Sequence, residues 1–86
     1  MYYIIVYDVE EKRVNKVCKL LRRYLHWVQN SVFEGELSEG KLAELKFKLS
    51  QIIDPEVDSV IIYTLWGKWK GREVIGLNKN PVDSLI

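Results

Sequence analysis

The chain opens on an apolar run. Residues 2–7 (YYIIVY) are six consecutive apolar or aromatic side chains, rich in β-branched types and short enough for a strand buried on both faces. The run ends on one acid, Asp8, and passes into a charged cluster. From 10 to 25 the period becomes helical. Val14, Val17, Cys18, Leu21, Tyr24 and Leu25 recur at three- and four-residue spacing, and Lys12, Lys16, Lys19 and Arg23 take the opposite side. Glu10 and Glu11 at the start and Arg22 and Arg23 near the end suit the helix dipole.

Residues 26–37 (HWVQNSVFEGEL) alternate and predict extended structure. They form either one bent strand or two short strands turning at Asn30–Ser31 or Glu34–Gly35. Ser38 then stands as an N-cap, with Leu37 and Leu42 placed as a hydrophobic staple. Leu42, Leu45, Leu49, Ile52 and Ile53 give a second amphipathic helix, which Asp54-Pro55 stops. Residues 59–65 (SVIIYTL) are a second apolar run and predict a central strand. A loop, WGKWKGR (66–72), leads to a short last strand over 73–77 (EVIGL), before a tail broken by Pro81.

The resulting order is β, α, β(β), α, β and an extra β. Two helices on one face of a mostly antiparallel sheet make a ferredoxin-like α+β sandwich, βαββαβ, with an extra C-terminal strand. The chain has 86 residues, so residues 1–86 are expected to form one small domain. Its core is modest. The single cysteine, Cys18, leaves no intrachain disulfide, and zinc spacing is absent, which fits a reducing cytosol. Oligomerisation is then the expected reinforcement. The extra strand at 73–77 is the candidate to pair with the partner protomer of a homodimer. No apolar run reaches the length of a membrane span, and the start lacks a signal peptide's basic region and cleavage site, so a cytoplasmic protein without membrane contact is expected.

Net charge is only +1, but its distribution is uneven. Lys12, Arg13, Lys16, Lys19, Arg22 and Arg23 face only Glu10 and Glu11 in their segment. A second group, Lys68, Lys70 and Arg72, is interleaved with Trp66, Trp69 and Gly71. Lysines and arginines on one surface supply the sequence-independent part of nucleic-acid affinity, and cations beside planar rings suit single strands. The ordinary alternatives are a solvated helix face and an edge-strand loop.

Asp8 has two readings that do not exclude each other. Asp is a preferred N-cap, and Asp8 with Glu11 three residues on resembles a capping box. A carboxylate is also a ligand suited to Mg²⁺, and two copies of Asp8 across a dimer axis would supply the pair that one chain lacks. His26, the only histidine, reads as a surface or strand-start residue, and Cys18 as core. There is no glycine-rich phosphate loop. The RNA-recognition signature is missing, and EEKR after the first strand lacks the glycines of an acylphosphatase anion loop.

Taken in order, the segments resemble the CRISPR-associated protein two family, the small partner of the CRISPR integrase. The likeness rests on YIIVYDV with Asp8 ending the first strand, Lys12-Arg13 opening the helix, VQNSVFEGEL (28–37) and DSVIIYTL (58–65). It implies a ferredoxin-like homodimer whose last strand crosses to the partner, with one Mg²⁺ held at the two-fold axis by both Asp8 side chains. It also implies metal-dependent endoribonuclease or deoxyribonuclease activity, and a role bridging integrase dimers during capture of new spacer DNA. By position, Arg13 and Phe33 match residues tied to activity in that family. One departure stands out: many members carry arginine just before Val-Gln-x-Ser, where this chain has Trp27.

Two functions follow from the resemblance. In the enzyme reading, the shared Mg²⁺ activates a water for phosphodiester hydrolysis and Arg13 stabilises the developing charge. In the scaffold reading, a non-catalytic dimer grips DNA and the integrase, with Lys16, Lys19 and Arg23 doing the binding. A toxin-like ribonuclease of the same fold is the third alternative.

Overall fold

The structure is a computed structural model that describes residues 1–66 and 68–77. The elements run β1 (Tyr2–Asp8), α1 (Glu11–Arg22), β2 (His26–Gln29), β3 (Val32–Glu36), α2 (Glu39–Ile52), β4 (Ser59–Trp66) and β5 (Lys68–Gly76). The five strands form one antiparallel sheet in the order β2-β3-β1-β4-β5. The ferredoxin-like expectation is met, and the extra strand lies beside β4.

Alternation along β1 divides the sheet into two faces. Tyr3, Ile5 and Tyr7 are buried beneath the helices, together with Phe33, Val60 and Ile62. Val17, Leu20 and Leu21 of α1 and Leu45 and Leu49 of α2 close this core from the other side. Leu20 was absent from the apolar face read in the sequence, yet it is only 6% exposed, because α2 covers that flank of α1. The other face carries Ile4, Val6, Val32, Ile61, Tyr63 and Val74, which adjoin one another through the register pairs Ile4↔Tyr63, Val6↔Ile61, Val6↔Val32 and Ile61↔Val74. They are only half-buried. No described helix covers this face.

The ambiguous segment 26–37 is a hairpin that turns at Asn30–Ser31. Asn30 adopts φ 42°, a left-handed conformation that asparagine tolerates better than most residues. The Trp27 indole N–H donates to the Asn30 carbonyl at 3.0 Å and braces the turn. Ser38 caps α2 as expected, its hydroxyl accepting from the Lys41 N–H at 3.1 Å. The helix ends at Ile53, which is already extended ahead of Asp54-Pro55.

Two expectations need correction. Asp8 does not cap α1: it is the last residue of β1, in register with Ser59, and the N-cap position is Glu10. The ladder to β4 holds Asp8 in the strand, and the helix starts two residues later than the local motif suggests. The segment 66–72 is not a simple loop either, since β5 begins at Lys68 and runs to Gly76. It pairs with β4 of its own chain from Trp66↔Lys68 to Ser59↔Gly76, with a register shift between Thr64 and Leu65. A strand close in sequence is the cheapest neighbour for an unpaired strand edge, because little loop-closure entropy is lost. Among the described residues no helix is long and apolar enough to cross a membrane.

Candidate functional site

The site assembles where three connections meet: the end of β1, the entry to α1 and the turn from α2 into β4. Asp8 is exposed and continues the row of Ile4 and Val6 on the uncovered sheet face. Directly behind it the chain is anchored. Tyr7 is 6% exposed, its N–H donates to the Ser31 carbonyl at 3.1 Å, and its ring lies 6.1 Å from that of Phe33. Burial, and then contact with the Cys18 thiol, push the Tyr7 hydroxyl above its ordinary pKa.

The anchor below Asp8 is a buried acid, Asp58, which is 0% exposed. Its carboxylate accepts from the backbone N–H of Glu10 at 3.0 Å and of Asp54 at 2.8 Å. The Arg13 guanidinium closes on it from the first turn of α1, with Nε at 2.6 Å from Oδ2 and Nη2 at 3.1 Å from Oδ1. Nη2 also reaches Glu10 Oε1 at 2.9 Å. Such bidentate, charge-assisted geometry is among the stronger pairings available to a side chain. The Arg13 bonds above all, with the two backbone N–H groups, hold the Asp58 carboxyl far below the usual carboxylate range against the opposing effect of burial. Arg13 is raised in turn, chiefly by its bond to Asp58.

The backbone of Asp58 is engaged as well. Its carbonyl accepts from the Leu77 N–H at 2.8 Å. Gly76, at φ +99°, passes so close that an added Cβ would collide with that same carbonyl. One residue thus ties β1, α1, α2, β4 and the end of β5 into a rigid corner that presents Asp8.

The residues singled out in the sequence fall into separate groups. Asp8 stands at the exposed rim of the corner and Arg13 inside it. Phe33 is a fully buried core residue whose ring supports Tyr7. Lys12, Lys16, Lys19 and Arg23 follow one another at four-, three- and four-residue steps and form one exposed stripe along α1. None of these four pairs with an acid among the described residues. The side chains of Lys68, Lys70 and Arg72, and Pro81, lie outside what the structure describes. Trp27 is 55% exposed on the edge strand β2.

Sequence reading missed Asp58. The available signal was an acid placed directly before an apolar strand, the mirror image of Asp8 directly after one. As for metal binding, no cluster of three acidic, histidine or cysteine side chains exists among the described residues. Of the corner's carboxylates among the described residues, Asp58 is buried and Glu10 is paired with Arg13, whereas Asp8 is exposed, so a second chain's Asp8 would supply the second carboxylate for Mg²⁺.

Comparison with known proteins places this geometry in context. A family model described as "CRISPR associated protein Cas2" matches residues 1–73. The chain is 51% identical over 86 residues, the whole of both chains, to a Thermococcus kodakarensis protein named "CRISPR-associated endoribonuclease Cas2". A Thermotoga maritima protein of the same name is 58% identical over 80 residues, 92% of each chain. Among solved structures, one described as "Crystal structure of cas2" is 53% identical at a TM-score of 0.75, covering 100% of this chain and 98% of that one. A Streptococcus pyogenes Cas2 structure is 37% identical at a TM-score of 0.72, covering 80% and 90%.

Proposed function

Because the chain belongs to the CRISPR associated protein Cas2 family, we propose that it acts as a cytoplasmic homodimer in CRISPR spacer acquisition, binding nucleic acid and the integrase, and hydrolysing phosphodiesters with Mg²⁺ shared by two Asp8 side chains. The observation that carries this reading is the position of Asp8, exposed at the end of an apolar sheet face that no described helix covers. A second copy packed on Ile4, Val6, Ile61 and Tyr63 brings its own Asp8 to the same interface. The outer edge of β5 is open to strand pairing across that dimer.

Each chain's residues have distinct tasks. Asp8 from both protomers holds the metal. When bound, Mg²⁺ supplies an activated water and offsets charge on the scissile phosphate. Arg13 acts through Asp58 and Glu10, fixing the loop that follows Asp8, since its guanidinium is already occupied by those carboxylates. Phe33 acts from the core, holding Tyr7 and therefore the strand end. Lys12, Lys16, Lys19 and Arg23 take phosphates along α1.

The scaffold reading draws support from a separate observation, the stripe of cations on α1 that no acid among the described residues pairs with. One variant separates the two. Asp8→Asn removes a charge at nearly constant shape from an exposed position, so the protein should stay folded and dimeric, at twice 10.2 kDa by light scattering. It should lose the Mg²⁺-dependent rise in melting temperature and any Mg²⁺-dependent cleavage, while keeping nucleic-acid affinity. Full Mg²⁺-dependent cleavage by Asp8→Asn would sink the catalytic reading, and a persistent monomer would sink the shared site.

A further inference from the structure

The helical layer contains a groove that the reading above does not use. It is an open groove of about 390 Å³ between α1 and α2, floored by Ile52 and by the small part of Leu20 that α2 leaves exposed. Its walls are cationic: Lys16, Lys19 and Arg23 come from α1 and Lys48 from α2, with Gln51 at the rim. Lys48 is partly engaged, at 3.0 Å from the Tyr24 hydroxyl and 3.3 Å from Glu44 Oε2. The three α1 cations make no ion pair among the described residues.

A phosphate backbone alone needs only cations. An aliphatic floor inside a cationic rim calls for an occupant with a flat apolar surface attached to an anion. An unpaired nucleotide has that form: its base can lie on Leu20 and Ile52, and the adjoining phosphates can meet Lys16, Lys19 and Arg23. The Arg23 guanidinium adds a planar cation of the kind that stacks on bases. A duplex cannot use the floor, because its bases are stacked and paired inside the helix. The volume accommodates about one nucleotide.

We propose that the α1–α2 groove is a binding site for one unstacked nucleotide of a single-stranded nucleic acid, with Leu20 and Ile52 under the base and Lys16, Lys19 and Arg23 on its phosphates. The proposal rests on the nucleic-acid-binding role given above and names the substrate form that this face selects.

Fluorescence anisotropy on the full chain tests it with three ten-residue probes: a single strand, the same sequence as duplex, and the single strand with abasic positions. The base contact should make the intact single strand bind roughly tenfold tighter than the abasic one. Gln51→Trp fills the groove from an exposed position without changing charge. It should erase that advantage and leave duplex affinity within about twofold, as expected when the electrostatic part is untouched. Gln51→Phe, a smaller uncharged plug, should weaken the single strand in the same selective way and covers the case in which the tryptophan variant fails to fold.

Equal affinity for intact and abasic strands, or no selective effect of either variant, would overturn the groove site. If Lys16→Gln with Lys19→Gln still weakens every probe in that case, nucleic-acid binding stands and only the base site falls. Absence of binding to all three probes overturns both.

Discussion

Arg13 and Lys16 stand less than one turn apart in α1, and they are used in opposite ways. Arg13 is pulled into the corner by Asp58 and Glu10, and its side chain is only 16% exposed. Lys16, like Lys12, Lys19 and Arg23, points into solvent with no acid beside it among the described residues. The difference lies in what the rest of the chain brings to each. Asp58 arrives from 45 residues away, fully buried, with two backbone donors already on it. Among the described residues no comparable acid approaches the outer stripe. A cation matched in the interior sets the fold, whereas cations left unmatched on the surface are available to a polyanion.

The contrast breaks most sharply at Asp58. Asp58→Ala leaves a largely buried guanidinium and two backbone N–H groups without their acceptor. Breaking a buried pair from one side costs about 3–5 kcal/mol. For a domain of this size that lowers the melting temperature by roughly 12 °C or more, readable by thermal or urea denaturation. A loss below about 1 kcal/mol would mean that the corner is not what holds Asp8 in place.

Acid should reproduce part of that loss. The Asp58 carboxyl titrates lower in the folded state than its ordinary value of 3.8. Its stabilising contribution is therefore complete above about pH 4 and is lost as pH falls from there toward the depressed folded value. Melting temperature should decline through this window in the parent. Asp58→Asn should show a flatter profile there, starting from a lower value. Parallel profiles would assign the acid sensitivity to other carboxylates.

A smaller effect is expected from the corner's far side. Gly76 holds φ +99°, where a side chain is strained, and passes against the Asp58 carbonyl. Gly76→Ala should cost about 2–3 kcal/mol, from backbone strain plus displacement of that carbonyl. Hydrogen exchange at Leu77, whose N–H is bound there, should accelerate more than exchange at Ile5 in the central strand. Uniform acceleration would point to global loss instead of a loosened corner.

The same contrast explains what the sequence reveals and what it conceals. The stripe on α1 is legible because helical periodicity alone places Lys12, Lys16, Lys19 and Arg23 on one side. The strands were legible from their apolar runs, and Ser38 from its local capping pattern. Asp58 was not, because its partner Arg13 is joined to it only through the fold; spacing within one segment cannot reveal a pair 45 residues apart. Asp8 was half legible. Its exposure at a strand end followed from the run that precedes it, but its cap reading failed because pairing with Ser59 overrides the local motif. The extent of β5 was hidden by glycines and charges in WGKWKGR, which read as a loop until β4 offered it an edge.

The smallest effect on folding should come from the surface stripe, and there the comparison becomes a direct test. Reversing Lys16, Lys19 and Arg23 to glutamate removes no buried bond, since all three are exposed. Stability should change by no more than about 0.5 kcal/mol, with a slight loss from acids placed near the end of α1 against its dipole. Nucleic-acid affinity should fall by roughly 100-fold or more at low salt, and the dependence of affinity on salt should become shallower as phosphate contacts disappear. If the triple variant unfolds, these cations support the fold as Arg13 does, and the division drawn within α1 is wrong. If it folds and binds unchanged, the polyanion lies on another face, and the stripe is simply a solvated helix surface.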